Sequence, residues 1–260
     1  MLQYDALSWN LILLYVKPII GNHRKKIKML YVMGATWHTK CMFDLDTVED
    51  SFADILHSYG IETYAADIFG SGPANKPKTI GDLYCKNLEY LATVIDQFDI
   101  RCVMGYSSGC SIVKDLTQKF NFDSVVLLDP GVRLSMNKQL INNDKFVITK
   151  QAVRQALLDN GTTVTKLIAN DYIDALTDNN ELVTASYPVT GQYLKVFSNK
   201  SAVQELYHHN VKTFFTKNSL EHVKKIFPDN SIYYPEASHW ILLEKYRYVL
   251  AQDVVNFLNS

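Results

Sequence analysis

Ser107 stands between two glycines in the stretch Val103-Met104-Gly105-Tyr106-Ser107-Ser108-Gly109-Cys110. An apolar run precedes it and a segment of helical spacing follows, so the serine falls on a corner between strand and helix. So sharp a corner admits only very small side chains two positions to either side, and Gly105 and Gly109 supply that room. The corner side chain then projects above the carboxyl edge of the strands, at the start of a helix running to about Phe120. There the backbone N–H of Ser108 points at whatever the serine attacks, and the helix dipole favours developing negative charge. This is the logic of a nucleophile elbow. Gly-x-Ser-x-Gly also occurs in ordinary turns; the flanking strand and helix are what favour chemistry here.

A serine hydroxyl is a poor nucleophile near neutral pH and needs a base, usually an imidazole held by an acid. Of seven histidines, His239 is the best placed. The segment containing it reads as a last strand, a short loop and a C-terminal amphipathic helix with Val249, Val254, Val255 and Leu258 inward. A histidine on that loop can swing over the sheet edge towards Ser107. His23, His57, His208, His209 and His222 read as surface or interface residues.

The elements that must hold these two residues are visible as an alternation. Ile27–Gly34, Ile61–Gly70, Ile100–Ser107 and Asp123–Pro130 are short apolar runs rich in β-branched or aromatic residues and read as buried strands. Between them, Val48–Tyr59 and Ile80–Phe98 carry apolar residues three and four apart, as amphipathic helices do. Such alternation implies an α/β fold with a doubly wound, mostly parallel sheet covered on both faces. Leu7–Val16 fits an antiparallel edge strand. From 131 to 210 the sequence turns polar and helix-like, in "TKQAVRQALLDN" and "VTKLIANDYIDALTDN", and strands return at Val211–Thr216 and Ser231–Glu236. The reading is a core of residues 1–130 and 211–260, with a helical cap, 131–210, inserted between two strands.

Four segments resemble the α/β-hydrolase fold superfamily, specifically its capped serine esterase-like branch: "LYVMGATW", "YAADIFGSGPANKP", "VMGYSSGCSIV" and "PEASHWILLEKYRYVLAQDVVNFL". They cover most of the chain outside the cap, in the family's order. The resemblance implies that Ser107 is the nucleophile, that His239 is the base, and that the backbone N–H groups of Ala35 and Ser108 form the oxyanion hole. Where the family often has His-Gly, this chain has Met33-Gly34; the hole uses backbone donors, so the change bears on loop packing more than on chemistry. Asp67 is expected to brace the loop containing Gly70 and Gly72.

The order Ser, acid, His on this fold confines the acid to positions between Ser107 and His239. The commonest place, the loop after Val211–Thr216, reads Lys217-Asn218-Ser219-Leu220-Glu221 and has no aspartate. Asp129, ending the run "VVLLDP", is favoured because a carboxylate closing a buried strand needs a specific donor, and the His239 imidazole would serve. An Asp-Pro pair can equally cap a turn. Glu221 is the alternative acid, and Ser219 or Asn218 could simply orient the ring.

A serine nucleophile argues for an acyl-enzyme route on a carboxylic ester or thioester of a small to medium acyl group. Other reactions of the same triad stay open, namely C–C bond hydrolysis, lyase-type cyanohydrin cleavage and perhydrolysis, as does a non-catalytic ligand receptor on the same fold. Trp37, Tyr106 and Trp240 are the candidate substrate-binding residues near the serine, and Tyr172, Tyr187, Tyr193 and Phe197 in the cap could line a pocket or pack the cap itself.

Bulk properties narrow the partners. With 260 residues, 47% hydrophobic, the chain can bury a sizeable core. A net charge of -1 and a pI near 6.6 give no field to gather nucleic acid or an anionic membrane. The expected partner is a small-molecule acyl substrate, with the chain a monomer or homodimer. No metal or cofactor is expected, since no phosphate loop, paired-cysteine set or His-Glu-x-x-His run is present. The run Leu11–Ile20 has Asp5 before it and a basic cluster after it, the wrong charge order for a secretory leader, and it is too short to span a bilayer. Cys41, Cys85, Cys102 and Cys110 read as reduced core residues, and a cytoplasmic location is the expectation.

Overall fold

Alternate residues of Ile27–Val32 face opposite ways, Met29 and Tyr31 into one apolar cluster and Leu30 and Val32 into another, so the strand is covered on both sides. The computed structural model describes residues 3–4, 14–17, 27–34, 45, 47–66, 80–130, 141–142, 145–161, 163–176, 182–185, 206, 209–226 and 230–260. Its main sheet contains β1 (Gln3–Tyr4), β2 (Leu14–Lys17), β3 (Ile27–Val32), β4 (Ile61–Ala66), β5 (Cys102–Tyr106) and β6 (Ser124–Leu128). Three further strands, β7 (Ile141–Asn142), β8 (Lys145–Thr149) and β9 (Leu182–Ala185), pair separately, and β10 (Val211–Thr216) and β11 (Ser231–Tyr234) complete the main sheet. Its order is β1-β2-β4-β3-β5-β6-β10-β11. The strands from β4 to β11 in that order run parallel, with β2 antiparallel to β4 and β1 antiparallel to β2.

Every residue of β5 and β6 is buried, as expected of central strands under helices on both faces. On one face lie α1 (Phe52–Ser58) and the C-terminal helix α7 (Arg247–Leu258), packed on each other. On the other lie α2 (Ile80–Phe98) and α3 (Gly109–Leu116), through Leu91, Val94, Ile95, Ile112, Val113 and Leu116. α1 begins later than its apolar spacing suggests because Ser51 stops it: the Ser51 side chain accepts from the Asp54 N–H, and the Asp54 carboxylate accepts from the Ser51 N–H, each at 3.1 Å. α3 ends at Leu116, short of Phe120.

The insertion between β6 and β10 holds the expected helices, α4 (Lys150–Asn160) and α5 (Lys166–Leu176), and also the antiparallel sheet β7-β8-β9, so it is not purely helical. The strand signal of β8 is only Phe146-Val147-Ile148, and it abuts the helical pattern that starts at Thr149 and hides it. Two smaller expectations are corrected. Val249 is 53% exposed, because the buried stripe of α7 runs through Arg247, Leu250, Ala251, Val254, Val255 and Leu258, which Val249 does not join. Cys85 is exposed, whereas Cys102 and Cys110 are buried, and none of the three is in a disulfide. The expected edge strand is described only from Leu14 onward. The 4-residue helix α6 (Glu221–Lys224) follows β10.

Candidate active site

Ser107 follows β5 directly and adopts φ 53°, in the left-handed region. For a residue with a Cβ that conformation costs roughly 1–3 kcal/mol, and it persists where surrounding structure enforces it. Two features do so. The Ser107 N–H donates to the Leu128 carbonyl at 2.9 Å, extending the β5–β6 ladder past the strand end. Gly109, opening α3, passes so close to β3 that a Cβ there would lie 2.2 Å from the Val32 carbonyl oxygen. A Cβ on Gly34 would meet the Ser107 Cβ at 2.8 Å, so the chain leaving β3 passes directly against the serine. Ala35, the next residue, and Trp37 lie outside the described residues, as do Asp67, Tyr187, Tyr193 and Phe197.

Asp129 follows β6 and has φ 52°. Its N–H donates to the Phe214 carbonyl of β10 at 2.7 Å, and its side chain is fully buried. A buried carboxylate requires donors, and it has four. Oδ1 accepts from the Thr216 N–H at 3.2 Å and from the Ser219 hydroxyl; Oδ2 accepts from the Thr216 hydroxyl at 2.8 Å and contacts His239 Nδ1 at 2.6 Å. An ionised carboxylate only accepts, so Nδ1 carries the proton in this pair and Nε2 is left as the basic nitrogen.

His239 is 2% exposed, and its backbone is held as firmly as its ring. The N–H donates to Asn218 Oδ1 at 2.8 Å, and the carbonyl accepts from the Tyr106 hydroxyl. The imidazole stacks on the Tyr106 ring at 4.8 Å between centroids and 18° between planes. The ring of the residue immediately before Ser107 thus supports the histidine. On the next turn Ser238 donates to the buried Glu244 carboxylate through its hydroxyl at 2.6 Å and its N–H at 3.1 Å. The backbone N–H of Trp240 donates to the Ser238 hydroxyl at 3.1 Å.

The structure therefore brings together Asp129, His239 and the strand end bearing Ser107, and it leaves Glu221 elsewhere. Glu221 is exposed and 2.9 Å from Lys224 Nζ, whose hydrogen bond and charge hold its carboxyl below the usual range. The end of β10 contributes Thr216, and the loop after it contributes Asn218 and Ser219; together they grip the aspartate and the histidine backbone. Tyr106 and Trp240, expected beside a substrate, are 0% and 3% exposed. Their rings are taken up by the core: Trp240 meets His239 edge-on at 5.8 Å and the insertion's Tyr172 at 5.9 Å. Thr216 and Glu244 escaped the sequence reading. For Glu244 a signal exists, a lone carboxylate in the apolar run "HWILLEKY".

No group of three or more His, Cys, Asp or Glu able to hold a metal occurs among the described residues. Nor is any helix among them long and apolar enough to cross a membrane.

No protein-family model and no curated protein sequence matches the chain. Solved structures do. The 2-hydroxy-6-oxo-6-phenylhexa-2,4-dienoate hydrolase from Rhodococcus sp. strain RHA1 superposes with a TM-score of 0.68 at 13% identity, covering 96% of this chain and 95% of that one. A monoglyceride lipase from Saccharomyces cerevisiae gives 0.67 at 15% identity over 100% and 94% of the two chains. A thioesterase domain from the curacin biosynthetic pathway gives 0.60 at 11%, over 100% and 99%. The common architecture, an open sheet with six adjacent parallel strands and helices on both faces, is that of these hydrolases: the chain has the α/β-hydrolase fold.

Proposed function

We propose that the chain is a serine hydrolase that cleaves a carboxylic ester or thioester of a small to medium acyl group, with Ser107 as nucleophile, His239 as base and Asp129 as acid. The observation that carries this reading is the buried Asp129–His239 pair, stacked on the residue that precedes a left-handed serine at a strand end. Ser107 Oγ attacks the acyl carbonyl while Nε2 of His239 takes its proton; Asp129 holds the tautomer and balances the imidazolium. The oxyanion is received by the backbone N–H groups of Ser108 and Ala35. Collapse expels the alcohol or thiol, which takes the proton from the imidazolium. A water deprotonated by His239 then releases the acid and restores Ser107. No cofactor enters these steps.

The 13%-identical dienoate hydrolase supports a second reading, cleavage of a C–C bond next to a carbonyl by the same groups. The test is labelling with a fluorophosphonate probe, followed by a chain-length series of esters and thioesters run beside β-diketone substrates. The proposal expects phosphonylation mapped to Ser107 and turnover of the acyl series. Turnover confined to the diketones selects C–C hydrolysis, and an unlabelled Ser107 leaves a ligand-binding protein on a hydrolase fold.

A further inference from the structure

We infer that Tyr106 is a positioning residue for His239, tying the strand that presents the nucleophile to the loop that presents the base. The inference rests on the proposed roles of Ser107 and His239. Tyr106 is the last residue of β5, adjoins Ser107 and is fully buried, which leaves no ring surface for a substrate. Its hydroxyl donates to the His239 carbonyl, a contact bridging 133 residues of sequence. With the N–H held by Asn218 and Nδ1 by Asp129, the histidine has three polar anchors, and Tyr106 supplies the one that comes from the nucleophile's own strand.

The phenol suits this part chemically. Burial pushes its pKa well above the ordinary tyrosine value, and the Asp129 charge adds to this, so the hydroxyl stays protonated and remains a donor. A phenylalanine would fill the same volume and leave the carbonyl without that partner in a dry interior. The ring has a second effect. Stacked at 4.8 Å, it presents its π face to an imidazole that becomes cationic when it takes the serine proton, and such a face attracts a cation.

The fold supplies its own control. Tyr31, in β3 next to β5, is 1% exposed, and its hydroxyl has no hydrogen-bond partner among the described residues. Tyr31→Phe therefore deletes the same atom from the same core without breaking a bond to the histidine.

The experiment compares wild type, Tyr106→Phe and Tyr31→Phe by ester kinetics, by the rate of fluorophosphonate labelling on the folded fraction, and by the NMR resonance of the His239 ring N–H. Tyr106→Phe is expected to lower kcat and the labelling rate by about tenfold or more with KM within about twofold, as loss of an interaction made in the transition state does. It is also expected to move the ring resonance, while Tyr31→Phe changes none of the three. Equal losses in both variants, an unmoved resonance, a kcat within about twofold of wild type, or no folded Tyr106→Phe at all would overturn the inference. Wild type that neither turns over nor labels sinks the hydrolase reading instead; the ring resonance then still decides whether Tyr106 sets the histidine.

Discussion

Asp129 and His239 lie 110 residues apart in sequence and 2.6 Å apart in space, with side chains 0% and 2% exposed. The carboxylate is sealed from bulk solvent, so the imidazole has one strong orientation, with Nδ1 towards the acid. Asp129→Asn keeps the shape but can present an N–H to that nitrogen and invert the tautomer. The expected result is a kcat lower by roughly 10³–10⁴-fold. Glu221→Gln, altering an exposed pair with Lys224, is expected to leave kcat within about twofold. Steady-state kinetics on a common ester checks both, and a large loss at Glu221 alone would return the acid to that loop.

Ser107 joins function to strain. Ser107→Ala removes the nucleophile but keeps a Cβ at φ 53°. Ser107→Gly removes both, and glycine adopts this region freely. Both variants should be inactive, but the glycine protein is expected to unfold higher, by about 1 kcal/mol less the entropy glycine adds to the unfolded chain. Thermal unfolding of the pair reads this difference. An alanine variant more stable than the glycine one by the full entropy difference of about 0.4–1 kcal/mol would mean the corner stores no strain.

Much of this architecture was legible because it is local. Ile80–Phe98 forms a helix over the range its three-and-four spacing marks out, and Val211–Thr216 forms a strand over its apolar run. Gly105-x-Ser107-x-Gly109 signals a corner because crowding restricts the neighbouring residue types. What stayed hidden depends on pairing across the sheet. Thr216 reads as an ordinary strand end until β10 lies beside β6 and its N–H and hydroxyl converge on Asp129. Tyr106 has the composition of a pocket aromatic, and only the arrival of the C-terminal loop over β5 turns its hydroxyl inward to His239. Ser219 and Asn218 suggest ring orientation by type, yet the fold gives one to the acid and the other to the backbone of the base.

Cysteine chemistry gives an independent probe of the elbow. Cys110, in the first turn of α3, is fully buried, and its thiol donates to the Gly105 carbonyl at 3.2 Å. Burial pushes its pKa well above the ordinary thiol value. The thiolate is the reactive species. Alkylation of native protein near neutral pH is therefore expected to modify exposed Cys85 quickly and Cys110 only as fast as the molecule unfolds, read by peptide mass mapping. Rapid native modification of Cys110 would show that the elbow opens locally.

Glu244 offers the strongest stability prediction, because its carboxylate is fully buried and receives both the hydroxyl and the N–H of Ser238, the residue before the histidine. Glu244→Ala strands those two donors in the interior and frees the turn that Trp240 closes through the Ser238 hydroxyl. Hydrogen bonds to a charged group contribute about 1.5–3 kcal/mol each, so a combined loss of roughly 3 kcal/mol is expected. For a chain of this size that corresponds to a fall in Tm of about 6 °C. Glu244→Gln retains one acceptor oxygen and should lose about half as much. Scanning calorimetry of the two variants beside Ser238→Ala separates the cases. If the alanine protein unfolds within about 1 kcal/mol of wild type, the carboxylate does not hold the turn, and the Tyr106 and Asn218 contacts alone fix the histidine backbone.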